Sequence, residues 1–469
     1  MQQDRERDTI FALSTGQGAA AIAVIRISGP RAGDVLRSLT GRNLPEARKA
    51  VVRSIRDPET GEVVDEALVL WFPGPGSFTG EDSAEIHVHG SPAVVRRVLG
   101  ILQGMPGLRL AEAGEFTRRA FENGRLSLHE VEGLADLVKA ETELQRRQAL
   151  LAARGKGRET FEGWREDLIH ILSRLEAAID FCEEEDIAEQ ALEGIDAKLE
   201  TLYAALKKAL AEAEGGQRVR EGFTVVIAGP RNAGKSSLLN ALARRDVAIV
   251  SRLAGTTRDV IEVQLDIGGL PVTLVDTAGL SAWPDRDDDG DRNAENEGGT
   301  DEPLSHEDIE RIGQERAREV LERADLVLWL SAPDVEGIDV PHMDSETIRV
   351  LNKADLIDSD AERYRQDWDV VISAKTGTGL RALEERIGAC LRDRFVLEAP
   401  SLITRARQKQ ALEEALARLD QAREDLKAGL LELAAENVRL TVRALERLIG
   451  RIDVEDLLDS IFSEFCIGK

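Results

Sequence analysis

The stretch Gly229-Pro-Arg-Asn-Ala-Gly-Lys-Ser236 constrains this chain more than any other. A GxxxxGK[ST] loop encloses phosphates with its backbone N–H groups, and it does so only between a buried strand and a helix N-terminus. Both are legible here. Phe223–Ala228 (FTVVIA) is a continuous apolar run, and the residues after Lys235 have helical spacing. The chain must therefore contain an α/β layer that holds a nucleotide at the carboxyl end of a strand. Lys235 reaches the β/γ-phosphates, the Ser236 hydroxyl binds Mg²⁺, and Asn232, Ala233, Gly234 and Ser237 complete the cradle. A bare glycine turn accounts for the glycines but not for the lysine, the serine and the strand together.

Further motifs follow in order. Asp276-Thr-Ala-Gly279 ends the apolar strand Val272–Val275. An aspartate at that tip can hold Mg²⁺ through water, and the N–H of Gly279 can approach the γ-phosphate, with Thr277 and Ala278 between them. Asn352-Lys-Ala-Asp355 selects the base. Guanine presents N1–H and an N2 amine to the Asp355 carboxylate, whereas adenine would leave that carboxylate unpaired. Lys353 lies along the base plane, and Ala354 completes the turn. Ser373-Ala374-Lys375, after the strand Val370–Ile372, resembles the loop that donates N–H to guanine O6. Gly255-Thr-Thr-Arg-Asp259 reads as a switch in which Thr257 completes the Mg²⁺ shell only when the γ-phosphate is present. Together these imply GTP hydrolysis. Leu280 stands where many GTPases place a water-orienting glutamine, so the chemistry must come from elsewhere. Asn232 is a candidate ligand for an alkali cation, with an ordinary loop residue as the competing reading.

The 469 residues suggest about three domains. Residues 1–120 alternate strand-like runs (Ala21–Ile27, Ala67–Phe72, Glu85–His89) with a turn cluster at Pro73–Gly80 and helical spacing at Ser91–Leu102. That pattern is α+β. From about Leu126 to Glu214 the chain is Ala/Leu/Glu-rich, proline-free and helical in period, and Gly215–Gly216 reads as its break. After Pro400 the helical pattern returns, with Leu412, Leu416, Leu419, Leu426, Leu430 and Leu433 read onto one face. The simplest arrangement is a nucleotide domain inserted into a helical domain whose halves lie at 125–215 and 400–469. The formal charge of −26 argues against a protein that wraps nucleic acid non-specifically. About a third of it lies in Ser281–Asp308, where eleven Asp and Glu face two Arg without an apolar period; this reads as a disordered or mobile loop. No stretch approaches the roughly 20 apolar residues that span a membrane. Cys182, Cys390 and Cys466 are too few and too scattered for a disulfide framework or a zinc site. The expectation is a cytosolic protein with no membrane partner.

The chain resembles the tRNA wobble-uridine modification GTPase family MnmE, or TrmE. The resemblance rests on Ile25–Gly29 (IRISG), Trp71–Asp82 (WFPGPGSFTGED), Gly114–Thr117 (GEFT), Ala178–Phe181 (AIDF), Gly229–Asn240, Ala254–Val260, Asp276–Leu280, Ile309–Arg316 (IERIGQER) and Ile461–Lys469 (IFSEFCIGK). It implies an α+β tetrahydrofolate-binding and dimerisation domain at 1–124, and a helical, all-α domain split into 125–220 and 396–469. Inserted between the halves it implies a Ras-like α/β G domain at 221–395. It also implies a homodimer, a tetrahydrofolate one-carbon donor, and an FAD- and NADH-using partner (MnmG, or GidA) in a heterotetramer or larger complex acting on tRNA. K⁺ would stand where an arginine finger would, bound by Asn232, Ser251, Leu253 and Thr256, within a loop that also includes Arg252, Ala254 and Gly255 and contacts GTP. Glu310 would orient the attacking water through another water. Arg26, Glu85, Arg125 and Lys469 would bind folate, and Cys466 would take part in the modification chemistry. The chain departs from the family in Arg125 for lysine, in Ser251 for threonine and in the acidic insertion, which bears on how Glu310 reaches the site.

Three features have blander readings. His87 and His89 share one side of a strand, but no third metal ligand has matching spacing. Arg439, Arg443, Arg447 and Arg451 step by four along a helix; the stripe suits a partner or tRNA surface, but more often it is a solvated face with local partners such as Glu436 and Glu446. Cys466 alone could be an inert thiol. The rival function is a binding switch in ribosome assembly, but neither a GxxG-type RNA loop nor a basic appendage is evident.

Overall fold

The computed structural model describes residues 8–244, 261–276, 320–335, 345–357, 367–395, 397, 400–450, 452, 458, 461–463, 465 and 467–468. They form two compact units, each discontinuous in sequence: 1–138, 150–204 and 411–469 in one, and 139–149 and 205–410 in the other.

The first unit opens with β1 (Thr9–Leu13), β2 (Ile22–Ser28), α1 (Ala32–Thr40), β3 (Val51–Arg56), β4 (Val63–Phe72), β5 (Ser83–His89), α2 (Pro92–Gly104), β6 (Leu108–Leu110) and α3 (Glu115–Glu122). The sheet runs β3-β4-β5-β2-β1-β6. All its pairings are antiparallel except β1 with β6. Strict alternation in β5 sends Ala84, Ile86 and Val88 into the core beneath α1 and α2. Glu85 and His87 therefore face the other way, and the register sets Arg26 and Leu70 directly beside Glu85.

Helices α4 (Leu128–Lys139), α5 (Glu143–Ala153), α6 (Lys156–Asp180), α7 (Glu185–Leu192) and α8 (Ile195–Glu221) follow. The nucleotide-type layer then contains β7 (Phe223–Ala228), α9 (Lys235–Ala243), β8 (Ile261–Ile267), β9 (Leu270–Asp276), β10 (Leu326–Ser331), β11 (Thr347–Leu351), β12 (Val370–Val371) and α10 (Leu380–Arg394). Its order is β12-β11-β10-β7-β9-β8, with only β8 antiparallel. β7 lies inside this sheet and buries both faces. Val225 and Ile227 enter one apolar cluster, and Val226 and Ala228 enter another. The chain ends with α11 (Ala406–Lys427), α12 (Leu431–Ile449) and a segment whose Ile461, Phe462 and Phe465 pack on Leu128 and Val131.

Two expectations are corrected. Gly215–Gly216 does not break a helix, because α8 runs to Glu221 and ends at Gly222, which has φ 96°. The pair instead allows close packing: a Cβ on Gly215 would stand 2.4 Å from the Phe395 carbonyl oxygen, and one on Gly216 2.3 Å from that of Ile403. The six leucines do not share one face either. Gly429 interrupts the helix, leaving Leu430 and Leu433 about half exposed while Leu412 and Leu419 are fully buried.

Two members of the arginine row are paired on α12: Arg439 meets Glu176 at 2.9 Å as well as Glu436, and Arg447 meets Glu414, while Arg451 lies outside the described residues. Glu446 pairs across to Arg165 on α6 at 2.9 Å. Among the described residues, no helix is long and apolar enough to cross a membrane.

Candidate functional site

The phosphate loop leaves β7 at Gly229, whose φ of 140° suits glycine alone. A Cβ there would stand 2.0 Å from the Leu330 carbonyl oxygen, so the residue is fixed by packing as well as by conformation. Asn232 and Gly234 also take positive φ, 64° and 93°. The Asn232 side chain is exposed beside the loop, as is that of Ser237, while Ala233 is buried beneath it. Lys235, first residue of α9, donates through Nζ to the carbonyls of Gly229 at 2.8 Å and Pro230 at 2.9 Å. Burial holds its ammonium below the ordinary lysine range.

The Ser236 hydroxyl donates to Asp276 Oδ2 at 2.7 Å. Strands β7 and β9 are parallel neighbours, and their carboxyl ends bring these two oxygen donors together. The pair fits a hard dication such as Mg²⁺, which takes few protein oxygens and keeps water. Thr257, the other expected ligand, lies outside the described residues.

Asn352 ties three loops into one wall. Its Nδ2 donates to the Ala233 carbonyl at 2.9 Å, and its Oδ1 accepts from the Ala374 N–H at 3.0 Å. Both ends of the amide are thus used inside the protein, and the residue is 2 % exposed. Beyond it, Ala354 N–H donates to the Ile372 carbonyl at 3.0 Å, and the buried Ser373 hydroxyl donates to Asp355 Oδ1 at 2.6 Å. That hydroxyl, aided by Lys375 with its Nζ 3.9 Å from Oδ2, holds the Asp355 carboxyl below its usual range. Asp355 is therefore an ionised acceptor at neutral pH, as a reader of two N–H donors must be. Lys353 is anchored by Asp334, at 2.7 and 2.9 Å. Its φ of 57° belongs to the left-handed region. The motif reading missed the Asp334 anchor because Asp334 follows a different strand, β10.

Of the remaining expected positions, Ser251, Arg252, Leu253, Ala254, Gly255, Thr256, Thr277, Ala278, Gly279, Glu310, Cys466 and Lys469, together with the acidic insertion Ser281–Asp308, lie outside the described residues.

A second site opens on the β-sheet of the first unit. Arg26 donates through Nε and Nη2 to Glu85 Oε1 at 3.2 and 3.1 Å, and its guanidinium lies 5.5 Å from the Phe78 ring centre. Glu85 Oε2 faces His87 Nε2 at 3.2 Å. A cavity of about 260 Å³ is lined by Arg26, Arg48, Phe72, Phe78, Thr79 and Glu85, among others. Arg125 is exposed and stands outside that lining, beside Gly80, to whose Cβ position its Cγ would be 3.3 Å distant. Sequence reading missed Arg48 and Phe78, since neither falls in a chemical motif. His89 is paired with Asp65 at 2.8 Å, so each of the two histidines has a carboxylate. Among the described residues, no group of three or more His, Cys, Asp or Glu could hold a metal.

Comparison with known proteins agrees over the whole length. Residues 9–125 match the family described as GTP-binding protein TrmE N-terminus, and residues 128–466 match the MnmE helical domain. The chain is 49 % identical to the tRNA modification GTPase MnmE of Methylobacterium sp. (strain 4-46), covering 98 % of this chain and 100 % of that one. It is 48 % identical to the protein of the same name from Beijerinckia indica, over 98 % and 96 %. With that from Rhodospirillum rubrum it shares 46 % identity over 98 % and 99 %.

Proposed function

We propose, from the premise that this chain belongs to the MnmE family of tRNA modification GTPases, that it binds and hydrolyses GTP and couples hydrolysis to modification of tRNA. The observation that carries the nucleotide part is Asp355. Its carboxylate is kept ionised by Ser373 and is joined through Asn352 to the phosphate loop.

Each residue then has a task. The loop N–H groups from Asn232 to Ser237 receive the phosphates, and Lys235 exchanges two loop carbonyls for phosphate oxygens. Asp355 accepts from guanine N1–H and N2–H, while the Ala374 N–H region faces O6. Bound Mg²⁺ would neutralise charge on the β- and γ-phosphates, held by the Ser236 and Thr257 hydroxyls, with Asp276 acting through water. K⁺ held by Asn232 and the loop Ser251–Thr256 would supply the positive charge of an arginine finger, and the water-orienting role that Leu280 cannot fill would fall to Glu310.

The finer reading follows the family. Hydrolysis accompanies pairing of G domains in a homodimer. With an FAD-dependent MnmG-type partner, the protein adds a carboxymethylaminomethyl or aminomethyl group to C5 of the wobble uridine of certain tRNAs, in the cytoplasm. The N-terminal cavity holds a tetrahydrofolate, with Arg26 and Glu85 lining it and Arg125 and Lys469 as the further folate contacts that the family implies, and Cys466 serves the modification step. The domain limits are 1–124, 125–220, 221–395 and 396–469.

The test exchanges the base. Asp355→Asn should weaken GTP binding at least tenfold and bind xanthosine triphosphate better than GTP, because the Nδ2–H of the new amide can donate to the C2 carbonyl that xanthine carries in place of guanine's N2 amine. Unchanged GTP affinity would refute the base assignment. Hydrolysis by the intact protein should be faster in K⁺ than in Na⁺; equal rates reject the potassium step while leaving GTP binding intact.

A further inference from the structure

The two cations of the N-terminal cavity are in opposite electrostatic conditions. Arg26 is neutralised by Glu85 at 3.1 Å inside the cavity. Arg48 lies exposed at its edge and, among the described residues, has no carboxylate within ion-pair distance; its guanidinium donates to the neutral carbonyl of Gly76. Its neighbour Lys49 is already paired with Glu46 at 3.0 Å. Arg48 is also held in place. Its N–H donates to the Trp71 carbonyl at 2.8 Å, at the end of β4, and its φ of 63° lies in the left-handed region that a β-carbon disfavours. An arginine maintained there against its backbone preference, unpaired beside a cavity, points to a ligand anion.

Size says which part of the ligand. The cavity of about 260 Å³ is smaller than the roughly 300–1,000 Å³ of sites that enclose a whole small molecule. Phe72 and Phe78 suit a flat ring, and the balanced Arg26–Glu85 pair suits the donors and acceptors of a pterin. The benzoyl-glutamate portion of a folate must then extend past the edge where Arg48 stands. We propose that Arg48 is the docking residue for the glutamate carboxylates of the reduced folate, and so decides between folates and pterins without that tail. This rests on the folate reading of the cavity.

The experiment titrates the full-length protein calorimetrically with 5-formyltetrahydrofolate and with a tetrahydropterin bearing a neutral side chain. Arg48→Asn removes the charge but tolerates the positive φ, and Arg48→Lys keeps the charge. Arg48→Asn should lose roughly tenfold in folate affinity, as expected for one charge-assisted contact, and leave pterin affinity unchanged. Arg48→Lys should recover part of the loss, and the wild-type preference for folate should shrink at high salt. Folate affinity unchanged in Arg48→Asn, or an equal loss for both compounds, overturns the assignment. If wild type binds neither compound, the folate reading itself falls; if it binds both and only the Arg48 variants disagree, that reading stands and Arg48 alone is wrong.

Discussion

In the nucleotide-binding unit the candidate site residues sit at the carboxyl ends of parallel strands; in the N-terminal unit the residues lining the cavity sit in the middle of antiparallel ones. Lys235 and Ser236 follow β7, Asp276 ends β9, Asn352–Asp355 follow β11 and Ser373 follows β12. Arg26, Glu85 and His87 instead stand within β2 and β5, each flanked by core residues. A strand end releases the chain into a loop, where consecutive residues can all be functional. A strand interior alternates, so every functional side chain has two neighbours committed to the core. The first arrangement offers a ligand many backbone groups, the second side chains alone.

The two arrangements should respond differently to mutation, and the largest contrast is at Lys235. Lys235→Ala should lower GTP hydrolysis by about 10²-fold or more, because a positioned charge is removed from the phosphates, while reduced-folate binding stays at the wild-type level. Parallel loss of both activities would show that the two sites are not independent. Next in size is Asn352→Ala. It leaves the Ala233 carbonyl and the Ala374 N–H without their buried partner, at a cost of about 1–3 kcal/mol in the stability of that unit, read by chemical denaturation. Glu85→Ala, in contrast, should weaken folate binding while leaving the denaturation midpoint nearly unchanged, since Glu85 is partly exposed. A stability loss at Glu85 as large as that at Asn352 would erase the contrast between a loop-tying residue and a lining one.

The smallest effect is in acid. Burial opposes ionisation of Glu115, but two hydrogen bonds from Arg109, the Glu112 N–H and Arg119 outweigh it and hold its carboxyl below the ordinary range. Its folded pKa is depressed, so its stabilisation is complete above the unfolded value near 4.5 and is lost as pH falls through the folded value. Asp325 has the opposite sign: burial raises its carboxyl despite the Thr224 N–H and Arg218, so its cost is felt at neutral pH and disappears as pH falls. Hydrogen exchange between pH 7 and 3 should show α3 losing protection on acidification, with Glu115→Gln flattening that slope. Asp325→Asn should raise protection of β7 at pH 7 and flatten a slope of opposite sign. Identical profiles in wild type and both variants would rule out these charges as the source.

Legibility followed the same division. The phosphate loop, Asp276 and Asn352–Asp355 were readable because each is a contiguous string, and the strands β7, β9 and β12 came close to their predicted limits. Arg26 and Glu85 were named only through family resemblance; nothing in IRIS or AEIHVH separates a ligand from a half-buried strand residue. Arg48 and Asp334 escaped because their partners come from other strands. Gly215–Gly216 misled for a physical reason: a glycine pair lowers helix propensity, yet tight packing overrode that cost.

That glycine pair is covered by residues made much later in the chain. The groove it makes on α8 is filled by Phe395 and Ile403, which leave the ribosome only after every residue of the parallel sheet. While the sheet is being made, the C-terminal turns of α8 lack the contacts that cover them, and their glycines favour fraying. The returning chain completes the helix, and the sheet between has by then brought its own ends together, which shortens the closure from a long random search to a short one.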